Sequence, residues 1–397
     1  MNDEQRMHRH RKTRRDLHNS PLETIIAHFY CNVKSYDSER IVRFNKIRRA
    51  AYTAKVKYLL FTGGGSAGHV TPNLAVMQEL RGRCRLAYMG TGGIEKTLVA
   101  PFGCAYFCVE CPKLVRSLTP KNLALPFRLR AAQRRALEIL QREKPDLVFA
   151  KGGYASYPAV WAAAKLHVPV LTHESDLTPG LCTRMVAKRC AHVLTSFPET
   201  AAMFSNGVCV GSPIRREIFG ADRARARRKY GFDDETPVLL VLGGGSGSRA
   251  LNEAVNAHME ELLTRFHILQ LCGKGNVTQS PRGCVRLEFE RDMGSAYACA
   301  DLVLSRAGSN TLFELLALKK PALLVPLERC SRGDQLKNAR YFEEKGLCAV
   351  LPEKKLGELP SALLRLYGSA TVRDALLAYR SENGTERILQ EIRAAIS

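Results

Sequence analysis

The sequence predicts an α/β protein built from two doubly wound parallel-sheet domains that face each other across a cleft. Apolar strand-like runs alternate with helical stretches through most of the 397 residues, and such alternation builds parallel sheets with helices on both faces. A strand, a glycine turn and a helix start also occur twice. The first is Lys57-Tyr-Leu-Leu-Phe-Thr followed by Gly63-Gly-Gly-Ser-Ala-Gly-His69; the second is Pro237-Val-Leu-Leu-Val-Leu followed by Gly243-Gly-Gly-Ser-Gly-Ser-Arg249. Turns of this build bring backbone N–H groups and the positive end of a helix dipole to one point, which suits an anion.

Residues 1–55 read as a basic, flexible extension with one short helix at Leu22–Tyr30. They hold 13 Lys/Arg against 6 Asp/Glu, and their apolar periodicity is weak. The first sheet domain spans 56–215. Its strands are expected at Tyr58–Thr62, Arg85–Met89, Leu147–Ala150, Val168–Thr172 and His192–Thr195, and its helices at Asn73–Leu80, Leu123–Gln141 and Pro158–Leu166. A linker over 216–235 carries the charged stretch Asp222–Lys229. The second domain, 236–380, repeats the alternation. Its strands are Val238–Leu242, His267–Leu271, Leu302–Ser305 and Ala322–Val325, and its helices Leu251–Arg265, Met293–Ala300, Thr311–Leu318 and Gln335–Lys345. Residues 381–397 form a last helix, whose packing partner nothing local reveals.

The net charge of +22 calls for an acidic partner. Thirteen cysteines form no metal framework: Cys108-Val-Glu-Cys111 has no second pair at zinc-ribbon spacing. They read as reduced, mostly buried thiols, and no metal is expected. No apolar run approaches the roughly 18 residues of a membrane span. The charged start lacks a signal-peptide core, which reads as cytoplasmic.

Gly63-x-Gly65-x-x-Gly68 matches the dinucleotide fingerprint, but no carboxylate closes the following strand, which reads Ala87-Tyr-Met-Gly-Thr-Gly-Gly. Neither glycine loop ends in the Gly-Lys-Ser/Thr of a P-loop. NAD and ATP are disfavoured, and a phosphorylated ligand remains. His69, at the end of the first loop, is a candidate general base; a capping or packing histidine is the alternative. His173-Glu-Ser-Asp-Leu-Thr-Pro-Gly180 places four polar side chains at a strand's carboxyl end, where such sheets do chemistry.

Ser305-Arg-Ala-Gly-Ser-Asn-Thr-Leu-Phe-Glu314 runs through a glycine turn into a helix. Ser309, Asn310 and Thr311 would seat a pyrophosphate there, and Glu314 would accept hydrogen bonds from a ribose diol. The alternative is a capping box between Thr311 and Glu314. In Ser331-Arg-Gly-Asp-Gln-Leu-Lys-Asn338, Asp334 and Gln335 are candidates for sugar hydroxyls. Lys113–Lys144 carries nine Lys/Arg and two Asp/Glu among interleaved leucines and Phe127. That mixture suits an anionic bilayer surface, or else a helix with a solvated basic face. Aromatic residues for stacking nucleic acid are nearly absent from it.

Taken in order, Gly63-Gly-Gly-Ser-Ala-Gly-His-Val-Thr-Pro-Asn, Lys151-Gly-Gly-Tyr, His173-Glu-Ser-Asp-Leu-Thr-Pro-Gly, Gly211-Ser-Pro-Ile-Arg, Gly243-Gly-Gly-Ser-Gly-Ser-Arg, Ser305-Arg-Ala-Gly-Ser-Asn-Thr-Leu-Phe-Glu and Ser331-Arg-Gly-Asp-Gln-Leu-Lys-Asn-Ala resemble the MurG family over residues 56 to 390. These are bacterial transferases that add N-acetylglucosamine to undecaprenyl-pyrophosphoryl-muramyl-pentapeptide. The resemblance implies a GT-B fold. It places UDP-N-acetylglucosamine in the second domain and the lipid-linked acceptor in the first. Carried over by position, Ser66, Ala67, Gly68, Asp176, Arg215, Ser246, Glu290 through its backbone, Ser309, Asn310, Thr311, Leu312, Phe313, Glu314 and Gln335 would line the donor site.

His69 falls at the family's favoured base, with Glu174 as a possible relay. The resemblance implies an inverting transfer in peptidoglycan synthesis, without a cofactor or metal. The enzyme would be peripheral on the cytoplasmic face of the membrane, held through Lys113–Lys144, with no nucleic-acid partner. Two positions depart from the family pattern. Gly245 stands where a serine is usual, and Asp176 replaces an amide. A UDP-N-acetylglucosamine 2-epimerase, a nucleic-acid-binding protein and a non-catalytic sugar-nucleotide-binding scaffold are the competing readings.

Overall fold

A computed structural model describes residues 56–113, 124–245, 247–327, 333–380 and 383–397. The extension, with the helix expected at Leu22–Tyr30, lies outside the described residues.

The first sheet holds β1 (Tyr58–Thr62), β2 (Arg85–Gly90), β3 (Ala105–Cys108), β4 (Leu147–Ala150), β5 (Val170–Glu174), β6 (His192–Thr195) and β7 (Gly207–Cys209). They pair in parallel in the order β3-β2-β1-β4-β5-β6-β7. The second holds β8 (Val238–Leu242), β9 (His267–Leu271), β10 (Cys284–Leu287), β11 (Leu302–Ser305), β12 (Ala322–Leu324) and β13 (Ala349–Val350), in the order β10-β9-β8-β11-β12-β13, again all parallel. In each sheet the winding reverses beside the first strand, between β1 and β4 and between β8 and β11. Ligands of such sheets sit in the crevice opened there, beyond the carboxyl ends of the strands.

The central strands are buried on both faces, which is why they read as continuous apolar runs. All five residues of β1 and of β8 are buried. Leu59 and Phe61 face one core and Leu60 the other; Leu239 and Val241 divide likewise from Leu240 and Leu242. The four strands the sequence reading lacked, β3, β7, β10 and β13, are the four sheet edges. Each is only partly buried, so none carries an apolar run. The helix expected over Leu251–Arg265 is broken at His258 (φ −111°, ψ 18°) into Arg249–Ala257 and Met259–Leu263.

The last helix, Gly384–Ile396, returns to the first sheet. Ile388, Leu389 and Ile392 enter the core built on Leu59 and Phe61, and His192 Nδ1 meets Glu391 at 2.7 Å. The chain therefore crosses between the lobes twice, and the two crossings are stitched together. Gly384 N donates to Ser212 O (3.0 Å), Ile214 N donates to Thr385 Oγ1 (3.1 Å), and that hydroxyl donates to Ile214 O (3.2 Å). A Cβ on Gly384 would stand 2.6 Å from the Gly211 carbonyl carbon, so the crossings touch backbone to backbone.

Candidate active site

From β1 the chain turns through Gly63–Gly68 into a short 3-10 turn, Ala67–His69, and then the helix Thr71–Leu80. Tyr88 donates its hydroxyl to Gly63 O (3.0 Å) and Asn73 its amide to Thr62 O (3.1 Å), which fixes the loop's root. The His69 ring lies against Gly153, at φ +71°: a Cβ there would stand 3.0 Å from His69 Cδ2. Glycine in the Lys151-Gly-Gly-Tyr segment thus makes room for the imidazole. Burial, and then the Lys151 ammonium, hold His69 below its ordinary 6.5 against the pull of Glu174 and Asp176. A neutral ring can accept a proton.

The groups around it follow β4 and β5. Lys151 is 2% exposed; it donates to His173 Nδ1 (2.9 Å) and to Ser175 Oγ. His173 Nε2 meets the Gly211 carbonyl at 2.9 Å. A carbonyl only accepts, so Nε2 carries the proton and Nδ1 receives the lysine's. Both Glu174 oxygens are occupied, one by Asp176 N (3.2 Å), the other by Gly180 N (2.9 Å) and Thr183 Oγ1 (2.7 Å). These bonds shape the loop that precedes the helix Leu181–Val186. Asp176, an amide in the family pattern, meets an amide here: Asn338 Nδ2 donates to its Oδ1 at 2.8 Å, and Leu177 N donates to Asn338 Oδ1 at 2.9 Å.

In the second lobe the helix Ser309–Ala317 begins after Gly308 with no side-chain cap. The capping box considered for Thr311 and Glu314 is not formed. Glu314 Oε1 instead accepts from Arg215 Nε (3.1 Å) and a second guanidinium nitrogen (2.9 Å), and Oε2 accepts from Tyr297 Oη (2.8 Å). Arg215, expected on a diphosphate, is thus paired with the residue expected on a ribose. Leu312 and Phe313 point into the core, where Phe313 meets Phe197 edge-on at 5.2 Å, so they can reach a ligand only through backbone. The Glu290 side chain is taken by Tyr230 Oη (2.7 Å), Lys229 Nζ (3.1 Å) and Asp292 N (2.8 Å), which likewise leaves its backbone. Gln335 Oε1 accepts from Leu327 N at 3.1 Å. Ser246 lies outside the described residues.

The two glycine loops meet. Asn310 Nδ2 donates to Gly68 O at 3.0 Å. A Cβ on Gly245 would stand 3.6 Å from Ala67 Cβ, so the residue usually serine faces the first loop directly. Ser66, Ala67, Gly68 and His69 therefore border the same cleft as the Ser309–Thr311 helix start. Lys151 and Asn338 stand in the Lys151-Gly-Gly-Tyr and Ser331–Ala339 motifs, but nothing in either motif marks them for the contacts they make. A charged residue directly after a buried strand was the available signal for Lys151.

Two parallel-sheet lobes with a shared cleft define the GT-B glycosyltransferase architecture. Solved structures agree: Acinetobacter baumannii MurG superposes with a TM-score of 0.65 at 23% identity, covering 86% of this chain and 100% of that one. The calicheamicin glycosyltransferase CalG4 gives 0.64 at 19%, covering 86% and 98%. Residues 59–195 match the glycosyltransferase family 28 N-terminal domain and residues 238–390 the family's C-terminal domain, and the chain belongs to glycosyltransferase family 28. It is 39% identical over 350 residues to a Clostridium botulinum protein named UDP-N-acetylglucosamine–N-acetylmuramyl-(pentapeptide) pyrophosphoryl-undecaprenol N-acetylglucosamine transferase, covering 85% of this chain and 99% of the relative. A Clostridium kluyveri protein of the same name is 42% identical over 310 residues, 76% of this chain and 88% of the relative.

Proposed function

We propose that the protein transfers N-acetylglucosamine from UDP-N-acetylglucosamine to the muramyl 4-hydroxyl of undecaprenyl-pyrophosphoryl-N-acetylmuramyl-pentapeptide, as its relatives' names state for them. Those names favour a transferase over an epimerase. The observation that carries the chemistry is the Asn310–Gly68 contact, which sets a neutral imidazole and an uncapped helix start on one cleft. The 4-hydroxyl oxygen attacks the anomeric carbon, His69 takes its proton, and the bond to UDP breaks on the opposite face with inversion. Backbone N–H groups of Ser309–Thr311 and the helix dipole receive the departing diphosphate's charge. Glu174, its oxygens already bonded, acts on His69 through its field rather than as a relay. Arg215 leaves Glu314 for the diphosphate when the donor binds, and this frees Glu314 Oε1 for the ribose diol.

The same cleft edge faces the bilayer. Helices that follow β2 and precede β4 start at the carboxyl end of the sheet, and there Ile94 is 48% and Phe127 72% exposed. Arg128 and Arg130 are exposed beside Phe127. Residues 114–123 of the basic stretch lie outside the described residues. Apolar side chains flanked by cations dock on anionic leaflets, where the acceptor's lipid resides. No helix among the described residues is long and apolar enough to cross a membrane.

The test is an assay with UDP-N-acetylglucosamine and the lipid-linked muramyl pentapeptide. Wild type is expected to transfer the sugar, and His69→Ala to lose at least about a hundredfold in kcat while UDP affinity is kept. Turnover of the sugar nucleotide without acceptor, or full activity in His69→Ala, overturns the reading.

A further inference from the structure

The transfer described above leaves one buried group without a role. Lys151 directly follows β4, at the switch point of the first sheet, and is 2% exposed. Taking an ammonium out of water costs several kcal/mol unless its surroundings repay it. Here it donates to His173 Nδ1 at 2.9 Å and to Ser175 Oγ, and no carboxylate bonds to it among the described residues. Burial lowers it to about 8, against the opposing fields of Glu174 and Asp176.

Those two carboxylates also act on His69. The groups that bear on the imidazole are Lys151 and Gly153 after β4, Glu174 at the end of β5 and Asp176 just beyond it; from the second lobe Asn310 holds the neighbouring Gly68 carbonyl. Two negative charges favour a proton on the ring, and one positive charge disfavours it. Asp176 supplies a negative charge where the family pattern has a neutral amide. The buried Lys151 is a cation on which the fields of both Glu174 and Asp176 act.

We propose that Lys151 is a positioning residue for the transfer, an inference that rests on His69 acting as its base. The ammonium orients the His173–Asp176 loop through two donated hydrogen bonds and balances the Glu174 and Asp176 carboxylates, so that the imidazole facing the acceptor stands free of a proton. Without that charge only burial opposes the carboxylates, and His69 keeps its proton to higher pH.

Lys151→Gln keeps donors for His173 and drops the charge; Lys151→Met removes both; Lys151→Met with Asp176→Asn removes the cation and the charge it balances. Two readouts separate the possibilities: the pH profile of kcat/KM for transfer, and the His69 ring titration by NMR, assigned by the signal lost in His69→Gln. In Lys151→Gln and Lys151→Met, the acidic limb and the ring titration are expected to move up together by about one pH unit. That is about a tenfold loss on the acid side of the profile. UDP affinity stays within about twofold, because the Ser309–Thr311 helix start lies in the other lobe. The double variant is expected to move both readouts back. A ring titration unmoved in folded Lys151→Gln, or no return in the double variant, overturns the proposal. A ring titration that moves while the kinetic limb stays leaves the charge balance standing and overturns His69 as the base.

Discussion

The two switch-point crevices differ in one buried cation each. In the first sheet Lys151 follows β4, and its N–H donates to Thr62 O at 2.8 Å; in the second Arg306 follows β11, and its N–H donates to Leu242 O at 3.2 Å. The positions are equivalent, and both side chains are buried, 2% and 7% exposed. Arg306 braces its own lobe. It donates to Ser248 Oγ (2.9 Å), the cap of the helix Arg249–Ala257, and to Val325 O (3.1 Å), and it pairs with Glu353 at 2.5 Å. Lys151 instead bonds two neutral acceptors beside a histidine. A guanidinium does not titrate in proteins, whereas an ammonium shifts readily when buried. The comparison teaches that one supersecondary frame can hold a fixed cation that braces its own lobe, as Arg306 does, or a titratable one bonded to neutral acceptors, as Lys151 is.

The sharpest way to probe that difference starts with the glycines. Gly247, at φ +77°, would bring a Cβ within 2.2 Å of Cys272 O, a backbone atom that cannot step aside. Gly247→Ala is expected to destabilise the second lobe by about 3 kcal/mol or more, read as a fall in thermal midpoint and lost UDP binding. Gly65, at φ +82°, would meet the Tyr154 ring at 2.6 Å, and a ring can rotate. Gly65→Ala is expected to cost about 1–2 kcal/mol, with transfer impaired more than UDP affinity. Equal effects from the two would break the contrast between a rigid seat and an adaptable one.

Next in size is Arg306→Met. It leaves Ser248 and Val325 O without their donor and is expected to cost about 2 kcal/mol in chemical denaturation. The acidic limb of the transfer profile should not move, in contrast to Lys151. A shifted limb would show that both cations tune the base. Glu353→Gln should cost less, under about 1 kcal/mol, because the Glu353 side chain is 43% exposed. The smallest effect is in the wild-type profile itself. His69 sits below its ordinary 6.5, so kcat/KM should be level through neutrality and fall only as pH drops beneath that value. A fall that begins above pH 7 would mean that His69 gains its proton earlier than this burial allows.

Much of this was legible in the sequence because it is local. Nine strands were readable as apolar runs, since a central parallel strand is buried on both faces. The four edge strands were not, because a half-covered strand such as β7 or β13 has no such run. The glycine loops and His69 were legible because strand, turn and helix start are consecutive in the chain. Glu314 was legible as a carboxylate one turn into a helix that follows a glycine turn, but not as the partner of Arg215 and Tyr297, which lie 99 and 17 residues away.

By itself, then, the sequence determined two doubly wound lobes, the loops at their crevices and the family they resemble, since each follows from periodicity or from motifs read in order. Only the tertiary structure decided which charges face one another. It returned the last helix to the first sheet, set Asn310 on Gly68 and Asn338 on Asp176, and buried Lys151 against His173 and Ser175. The physical reason is range. Backbone preference and apolar spacing act over a few residues, whereas a field in a low-dielectric crevice acts between groups that only folding brings together.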